Sequence, residues 1–537
     1  MPQRSPSKHS VRAYIGRAGS AGRTGGLRRA GRALPIAAAM VLAAACTGSA
    51  SGQPVAASSP AQAGQLGAPP GLESYYTQKI GWNSCDNGWQ CGTLKVPLNY
   101  ADPGGQSIEI AVTRKQASNR SERIGSLLVN PGGPGGSGIQ YAQSSGIVSS
   151  NVEAHFDLVG FDPRGVGQST PAVHCVTDSQ MDTFLNTPPD PTGQSEINQI
   201  VNQSKFFANQ CEADSASLLP YVGTVNAARD MDVLRAALGD SKLYYLGKSY
   251  GTYLGAVYAQ EFPTRVGRVV LDGALDPSLT AEQMNLAQAT AFDDELNQYA
   301  QSCVKQSGCP LGTDATTGLA KLKTWVDGLD QHPISGDATR KLTEAQAMTG
   351  IAFAMYSPSY WPDLTNAITN AYSGNGALML SMADAYNDRV NGKYQGNETE
   401  ANFAVNCVDH PDEAASLQQV EQELPTFEQA APFFGQMIDW SSLPCAYWGA
   451  KPDTTPHKIT AQGAAPILVV GTTQDPATPY AWAQSLASQL SSGHLLTMNG
   501  FGHTAYMLGT SCIDTAVDAY LINDTLPATG TVCQQGH

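Results

Sequence analysis

The chain lacks three features that would point elsewhere. It has no hydrophobic run long enough to span a bilayer; the apolar stretch near its start, Ala33–Ala45, is too short. It has no CxxC pair and no dense Cys/His cluster, so nothing in it suggests zinc. It has little positive charge beyond its first 32 residues. Those carry eight Arg/Lys and no acid, and the rest holds 23 basic against 46 acidic residues. A body so acidic is a poor nucleic-acid binder. Its charge suits solubility outside the cell, with some attraction for cationic groups such as peptide amines. No internal repeat is visible.

What the start does contain is an export signal. Basic residues, then Ala33–Ala45, then small residues read as a signal peptide over 1–45. "LAAAC" followed by "TGSASG" resembles a lipobox, with Leu42 four residues before Cys46 rather than three. Cys46 is the expected lipidation site, and ordinary signal-peptidase cleavage is the alternative. Arg28-Arg29 as a twin-arginine signal fits its flanks poorly. The protein is expected to be exported, as a surface lipoprotein or a secreted monomer, with a membrane contacted only through the lipid. Residues 46–72, rich in Ala, Ser, Gly, Gln and Pro, read as a flexible tether.

Setting Cys46 aside leaves ten cysteines: Cys85, Cys91, Cys175, Cys211, Cys303, Cys309, Cys407, Cys445, Cys512 and Cys533. An even set in an exported chain reads as a disulfide framework. The spacing suggests neighbours pairing in order; a mixture of bridges and buried thiols is the alternative.

The body predicts an α/β fold. "GTLKVPLNY" and "SIEIAVTRKQA" read as a hairpin around "ADPGGQ". "IGSLLVN" and "FDLVGFD" are continuous apolar runs, as expected of strands buried on both faces. "KLYYLGKS", "VGRVVLDGAL", "APILVVGTTQD" and "HLLTMNG" read as further strands, and "AARDMDVLRAALG" and "YGTYLGAVYAQEFP" as helices. The alternation argues for a doubly wound, mostly parallel sheet. Between 276 and 460 the apolar spacing is mainly helical, so a helical cap is expected to interrupt a core built from 73–275 and 461–537.

The chemistry is carried by four segments. "GKSYG", at 247–251, is a G-x-S-x-G sequence between a predicted strand and a predicted helix. That corner is what a nucleophile elbow requires, with Ser249 projecting above the sheet. A serine hydroxyl needs a base. Asp475 in "GTTQDPATP" and His503 in "NGFGHTAY" each follow a predicted strand, at the ends where ligands of such sheets gather. "NPGGPGGSG", at 130–138, supplies bare backbone after an earlier strand. An acyl-transfer site needs prepositioned donors for an oxyanion. The N–H groups of Gly133 and Tyr250 are the expected pair. No metal or organic cofactor is needed.

Together "CGTLKVPLNY", "NPGGPGGSG", "FDLVGFDPRGVGQS", "YYLGKSYGTYLG", "RVVLDGALDP", "VNCVDHPD", "GTTQDPATPYAWA" and "GFGHT" resemble the secreted tripeptidyl aminopeptidases among the actinobacterial α/β-hydrolases, which are related to prolyl aminopeptidases. The resemblance spans roughly residues 75–537. It implies an α/β-hydrolase core, a helical cap over the site, and serine exopeptidase chemistry on free peptide or protein N-termini. Ser249, Asp475 and His503 fall on the triad, and Gly133 and Tyr250 on the oxyanion positions. Lys248 departs from the pattern, since a small residue or Tyr is more usual before the nucleophile. A cation there would lower neighbouring pKa values or point into solvent.

An aminopeptidase also needs a carboxylate for the substrate ammonium. Asp293, Asp294, Glu295 and Asp409 are candidates, with Asp409 preferred because the neighbouring Cys407 would hold it rigid. Asp162 and Arg164 are expected to brace the site. A cell-envelope carboxylesterase or lipase using the same triad is the alternative, and a binding protein on an inactive scaffold a more distant one.

Overall fold

A computed structural model describes residues 67–410, 416–450 and 454–536. The expected signal peptide, the expected lipidation site Cys46 and most of the expected tether lie outside the described residues. Leu72, at the end of the expected tether, is already buried in the core.

Ten strands form one sheet: β1 (Asn83–Ser84), β2 (Gln90–Pro97), β3 (Ser107–Lys115), β4 (Gly125–Asn130), β5 (Phe156–Phe161), β6 (Leu243–Lys248), β7 (Val266–Asp272), β8 (Ile467–Gln474), β9 (Gly493–Phe501) and β10 (Val532–Gln534). Their spatial order is β1-β2-β3-β5-β4-β6-β7-β8-β9-β10. β1, β2 and β3 pair antiparallel, and β3 pairs antiparallel with β5; from β5 to β10 every pairing is parallel.

The parallel strands are apolar on both faces because both faces are covered. Leu128, Tyr245 and Leu271 face one layer with Met231 and Leu254. Leu127, Val129, Leu246 and Val270 face the other with Val152, Ile513 and Tyr520. Helices supply those layers: Thr224–Leu238, which ends at Gly239 with φ 86°, and Tyr250–Glu261 on one side, Ser511–Asn523 on the other. A glycine at a left-handed position is the usual helix stop.

Between β7 and β8 the chain leaves the sheet for a run of helices from Ala281–Cys303 to Gly435–Trp440. The first opens on a capping box, Thr280 with Gln283. These helices have their own core, with Phe292, Leu296, Met348, Phe353, Ile368 and Phe434 fully buried. Among the described residues, two short hairpins, Ile334–Ser335 with Lys341–Leu342 and Arg389–Val390 with Lys393–Tyr394, are the strands of this region. They are too short to register in an apolar pattern.

Five disulfides join Cys85 to Cys91, Cys175 to Cys211, Cys303 to Cys309, Cys407 to Cys445 and Cys512 to Cys533. Each joins neighbours in chain order. Such a set persists in oxidising compartments, as expected of an exported protein. Among the described residues, no helix is long and apolar enough to cross a membrane.

Candidate active site

The site is assembled where strands β4, β6, β7, β8 and β9 end. The chain leaves β4 for β5 on one side, then returns to β6 on the other. This reversal opens a crevice beyond the strand ends. Asn130 of β4 is in register with Gly247 of β6, which lays the glycine-rich loop against the G-x-S-x-G corner.

Ser249 has φ 55° and ψ −128°. A positive φ on a non-glycine residue costs on the order of 1–3 kcal/mol and persists only when its surroundings hold it. Here the Ser249 N–H donates to the Asp272 carbonyl at 3.0 Å, and the Ser249 carbonyl accepts the Thr252 hydroxyl at 2.6 Å. A Cβ at Gly247 would lie 2.3 Å from the Gly251 carbonyl oxygen, so strand and helix approach too closely for any side chain. Gly132 has φ 99°, and a Cβ there would lie 2.6 Å from the Lys248 carbonyl oxygen and 2.8 Å from Ser249 Cβ. The bare loop is what allows backbone to reach the serine.

The Gly132 N–H donates to Asn130 Oδ1 at 2.9 Å. Those of Gly133 and Tyr250 donate to no acceptor among the described residues. Tyr250 opens its helix, so its N–H is one of the four free amides at a helix start.

Asp475 and His503 follow β8 and β9, separated by 28 residues in sequence, and meet. His503 Nδ1 lies 2.9 Å from Asp475 Oδ1 and 3.0 Å from Oδ2. Asp475 also accepts the N–H groups of Ala477 (2.9 Å), Thr478 (2.8 Å) and Thr504 (3.1 Å) and the Thr478 hydroxyl (2.9 Å). A carboxylate so surrounded is fixed in place, and beside Nδ1 it keeps the ring proton there, leaving Nε2 as the basic nitrogen. His503 Nε2 and Ser249 Oγ are both buried without a hydrogen-bond partner. The end of β7 links the two residues: Asp272 receives the Ser249 N–H, and a Cβ on the next residue, Gly273, would lie 3.3 Å from His503 Cε1.

The cap helices touch each part of this arrangement. Gln288 donates to the Ala477 carbonyl beside Asp475 (2.7 Å), and Asn402 to the Pro134 carbonyl in the glycine loop (2.9 Å). The His503 N–H donates to the Tyr356 carbonyl (3.0 Å), and the two rings meet edge to face at 5.6 Å. His503 lines a cleft of about 380 Å³ with Tyr141, Lys248, Tyr356 and Phe501, while Ser249 is fully covered.

The other residues named from sequence fall as follows. Asp162 accepts from Ser137 (2.5 Å) and the Ile139 N–H (3.2 Å), fixing the end of the glycine loop. Arg164 makes a two-pronged pair with Asp230 and donates to the Leu98 carbonyl. Asp162 thus holds the loop beside the site, whereas Arg164 ties the end of β2 to the helix Thr224–Leu238 rather than touching the site. Asp409 is buried and accepts the N–H and hydroxyl of Thr224, whose hydroxyl also meets the Tyr250 hydroxyl. Asp293 accepts the N–H groups of Phe433 and Phe434, and Asp294 is exposed. Glu295 is 2% exposed and its Oε1 has no partner. Burial, with the Asp475 charge added, pushes its pKa up to about 8. Lys248 is buried among Asp272 and the residues after His503, so it does not point into solvent.

Among the described residues one group of carboxylates has metal-like spacing, Asp190, Asp327 and Glu344. The Lys323 ammonium lies 2.7 Å from Asp190 and 2.5 Å from Asp327, so a cation of the chain already occupies that position.

Thr478, Tyr356 and Asp272 belong to the site and were not singled out from the sequence. Thr478 had a signal: an Asp two to three residues before a polar residue and Pro commonly folds back onto the following N–H groups. Tyr356 and Asp272 had none, since their roles come from contacts distant in sequence.

Comparison with known proteins agrees with this architecture. Residues 125–328 match the family model described as alpha/beta hydrolase fold, and residues 431–533 that described as TAP-like protein. Serine protease Hip1 of Mycobacterium tuberculosis is 40% identical over 477 residues, which cover 85% of this chain and 91% of that protein. Carboxylesterase B of the same species is 38% identical over 471 residues, covering 84% and 89%. Tripeptidyl aminopeptidase of Streptomyces coelicolor is 34% identical over 477 residues, covering 84% and 86%. Such identity, sustained over most of its length, means that the chain belongs to the tripeptidyl aminopeptidase-like family of α/β-hydrolase serine enzymes.

Proposed function

We propose that the protein is an extracytoplasmic serine exopeptidase that releases short peptides, with tripeptides as the expected unit, from free N-termini. His503 Nε2 takes the Ser249 proton as Oγ attacks the scissile carbonyl. The N–H groups of Gly133 and Tyr250 receive the oxyanion, Asp475 holds the ring and stabilises the imidazolium, and His503 then protonates the leaving amine. Water, activated by the same histidine, releases the acyl group.

The observation that carries the exopeptidase reading is Glu295, a buried cap carboxyl with an unpartnered oxygen in the field of Asp475. An unpaired buried carboxyl is costly. A substrate ammonium beside it would offset that cost and favour its charged form. Asp409, whose carboxylate is engaged by Thr224, is assigned instead to positioning Tyr250. The tripeptide unit comes from the Streptomyces relative.

A carboxylesterase is the second reading, favoured by the relative of that name. The test compares a tripeptide anilide with a free amine, its N-acetylated twin and a short-chain p-nitrophenyl ester, on the wild type and on Glu295→Gln. Cleavage of the free peptide alone, with the preference lost in Glu295→Gln, is expected. Equal cleavage of both peptides by the wild type would remove the clamp. Turnover of the ester alone would move the protein to the esterase reading.

A further inference from the structure

The residue before Ser249 is a lysine only 5% exposed. A lysine is seldom so buried unless it is paired. Its Nζ lies 3.5 Å from Asp272 Oδ2 and donates to the Tyr506 carbonyl at 2.7 Å. The Asp272 side chain accepts the N–H groups of Ala505 (2.9 Å) and Tyr506 (3.0 Å), while its backbone carbonyl accepts the Ser249 N–H (3.0 Å). The pair therefore grips the chain immediately after His503 at three backbone atoms, and it is continuous with the nucleophile through both backbone and hydrogen bond.

That stretch needs holding. Thr504 and Met507 have φ of 66° and 63°, conformations that side chains disfavour. Asp514 secures its far end by accepting the Met507 N–H at 2.7 Å. Burial pushes the Asp272 carboxyl up, and Lys248 is the largest influence opposing that shift.

We propose that Lys248 and Asp272 act as one positioning unit, a buried ion pair that sets His503 over Ser249 by pinning residues 504–506 to the strand ends beside the nucleophile. The proposal rests on the reading above in which Ser249 and His503 react. It makes neither residue a participant in the chemistry.

The experiment uses the purified full chain with Lys248→Met, Asp272→Asn and the double change. Three quantities are read: Tm, kcat and KM on the free tripeptide anilide, and the rate at which a fluorophosphonate labels Ser249. Labelling reports serine reactivity without peptide binding. Each single change is expected to lower kcat and labelling about 100-fold, the scale of a small misplacement of a catalytic group, with KM little changed. The double change leaves no unpaired buried charge, so its Tm recovers toward wild type. Its kcat and labelling rate stay at least about 10-fold down, because the Tyr506 carbonyl has lost the ammonium that held it. Recovery of kcat together with Tm would reduce the pair to a stabilising contact and overturn the proposal. So would a folded Lys248→Met enzyme with wild-type kcat. Should a single change fail to fold, the double change decides between the same outcomes. A wild type that the fluorophosphonate does not label, or labels equally after Ser249→Ala, would remove the underlying reading and this proposal with it.

Discussion

His503 Nδ1 lies 2.9 Å from Asp475 Oδ1, while its other ring nitrogen is buried with no partner. The carboxylate fixes which nitrogen keeps the proton and so which can take one. Asp475→Asn would place an amide where an acceptor is needed and leave the wrong tautomer facing Ser249. A fall in kcat of about 10⁴-fold is expected, with the fold retained. Steady-state kinetics beside circular dichroism test this, and a folded variant within tenfold of wild type would contradict it.

Gly132 gives a test of the loop. A Cβ there meets backbone of the nucleophile turn at 2.6 Å, and φ 99° is unfavourable for alanine. Gly132→Ala must push the loop away from Ser249, carrying the Gly133 N–H with it. Removing one such donor costs about 10²–10³ in kcat. The variant is expected to lose at least that much, with a lower Tm. Wild-type kcat would show that the loop takes no part in the reaction.

Asp439 tests the cap electrostatics. Its Oδ2 is buried without a partner, and burial together with Glu423, Glu282 and Glu428 pushes its pKa up to about 8 from 3.8. Between those values the folded state keeps a proton that the unfolded chain has released, so stability falls as pH rises through this window. Asp439→Asn needs no proton. Its Tm advantage over wild type should grow by several degrees from about pH 4 to about pH 8 and then level off. Thermal melts across that range check it; a difference independent of pH would contradict the assignment.

The fold was legible because its signals are local. "SLLVN" can be two-sided only in a covered sheet, and Gly239 stops a helix by its own backbone freedom. Ser249, Asp475 and His503 could be named because each follows a strand that announces itself. The acid proposed to bind the substrate amine was not legible in the same way. Asp293, Asp294 and Glu295 are consecutive, and only packing makes the first a partner of Phe433 and Phe434, the second exposed and the third an unpaired interior carboxyl. Lys248 was equally opaque: the sequence leaves open whether it acts on its neighbours or points into solvent, and only Asp272, on the next strand, shows it paired inside.

The most direct test of the account is where a fluorophosphonate bonds. Treat the purified protein with the reagent, digest it, and locate the adduct by mass spectrometry, with Ser249→Ala and His503→Ala in parallel. The account predicts one adduct, on Ser249, absent in the first variant and strongly slowed in the second, with peptide hydrolysis lost in both. An adduct on another residue, or hydrolysis by Ser249→Ala near the wild-type rate, would contradict it.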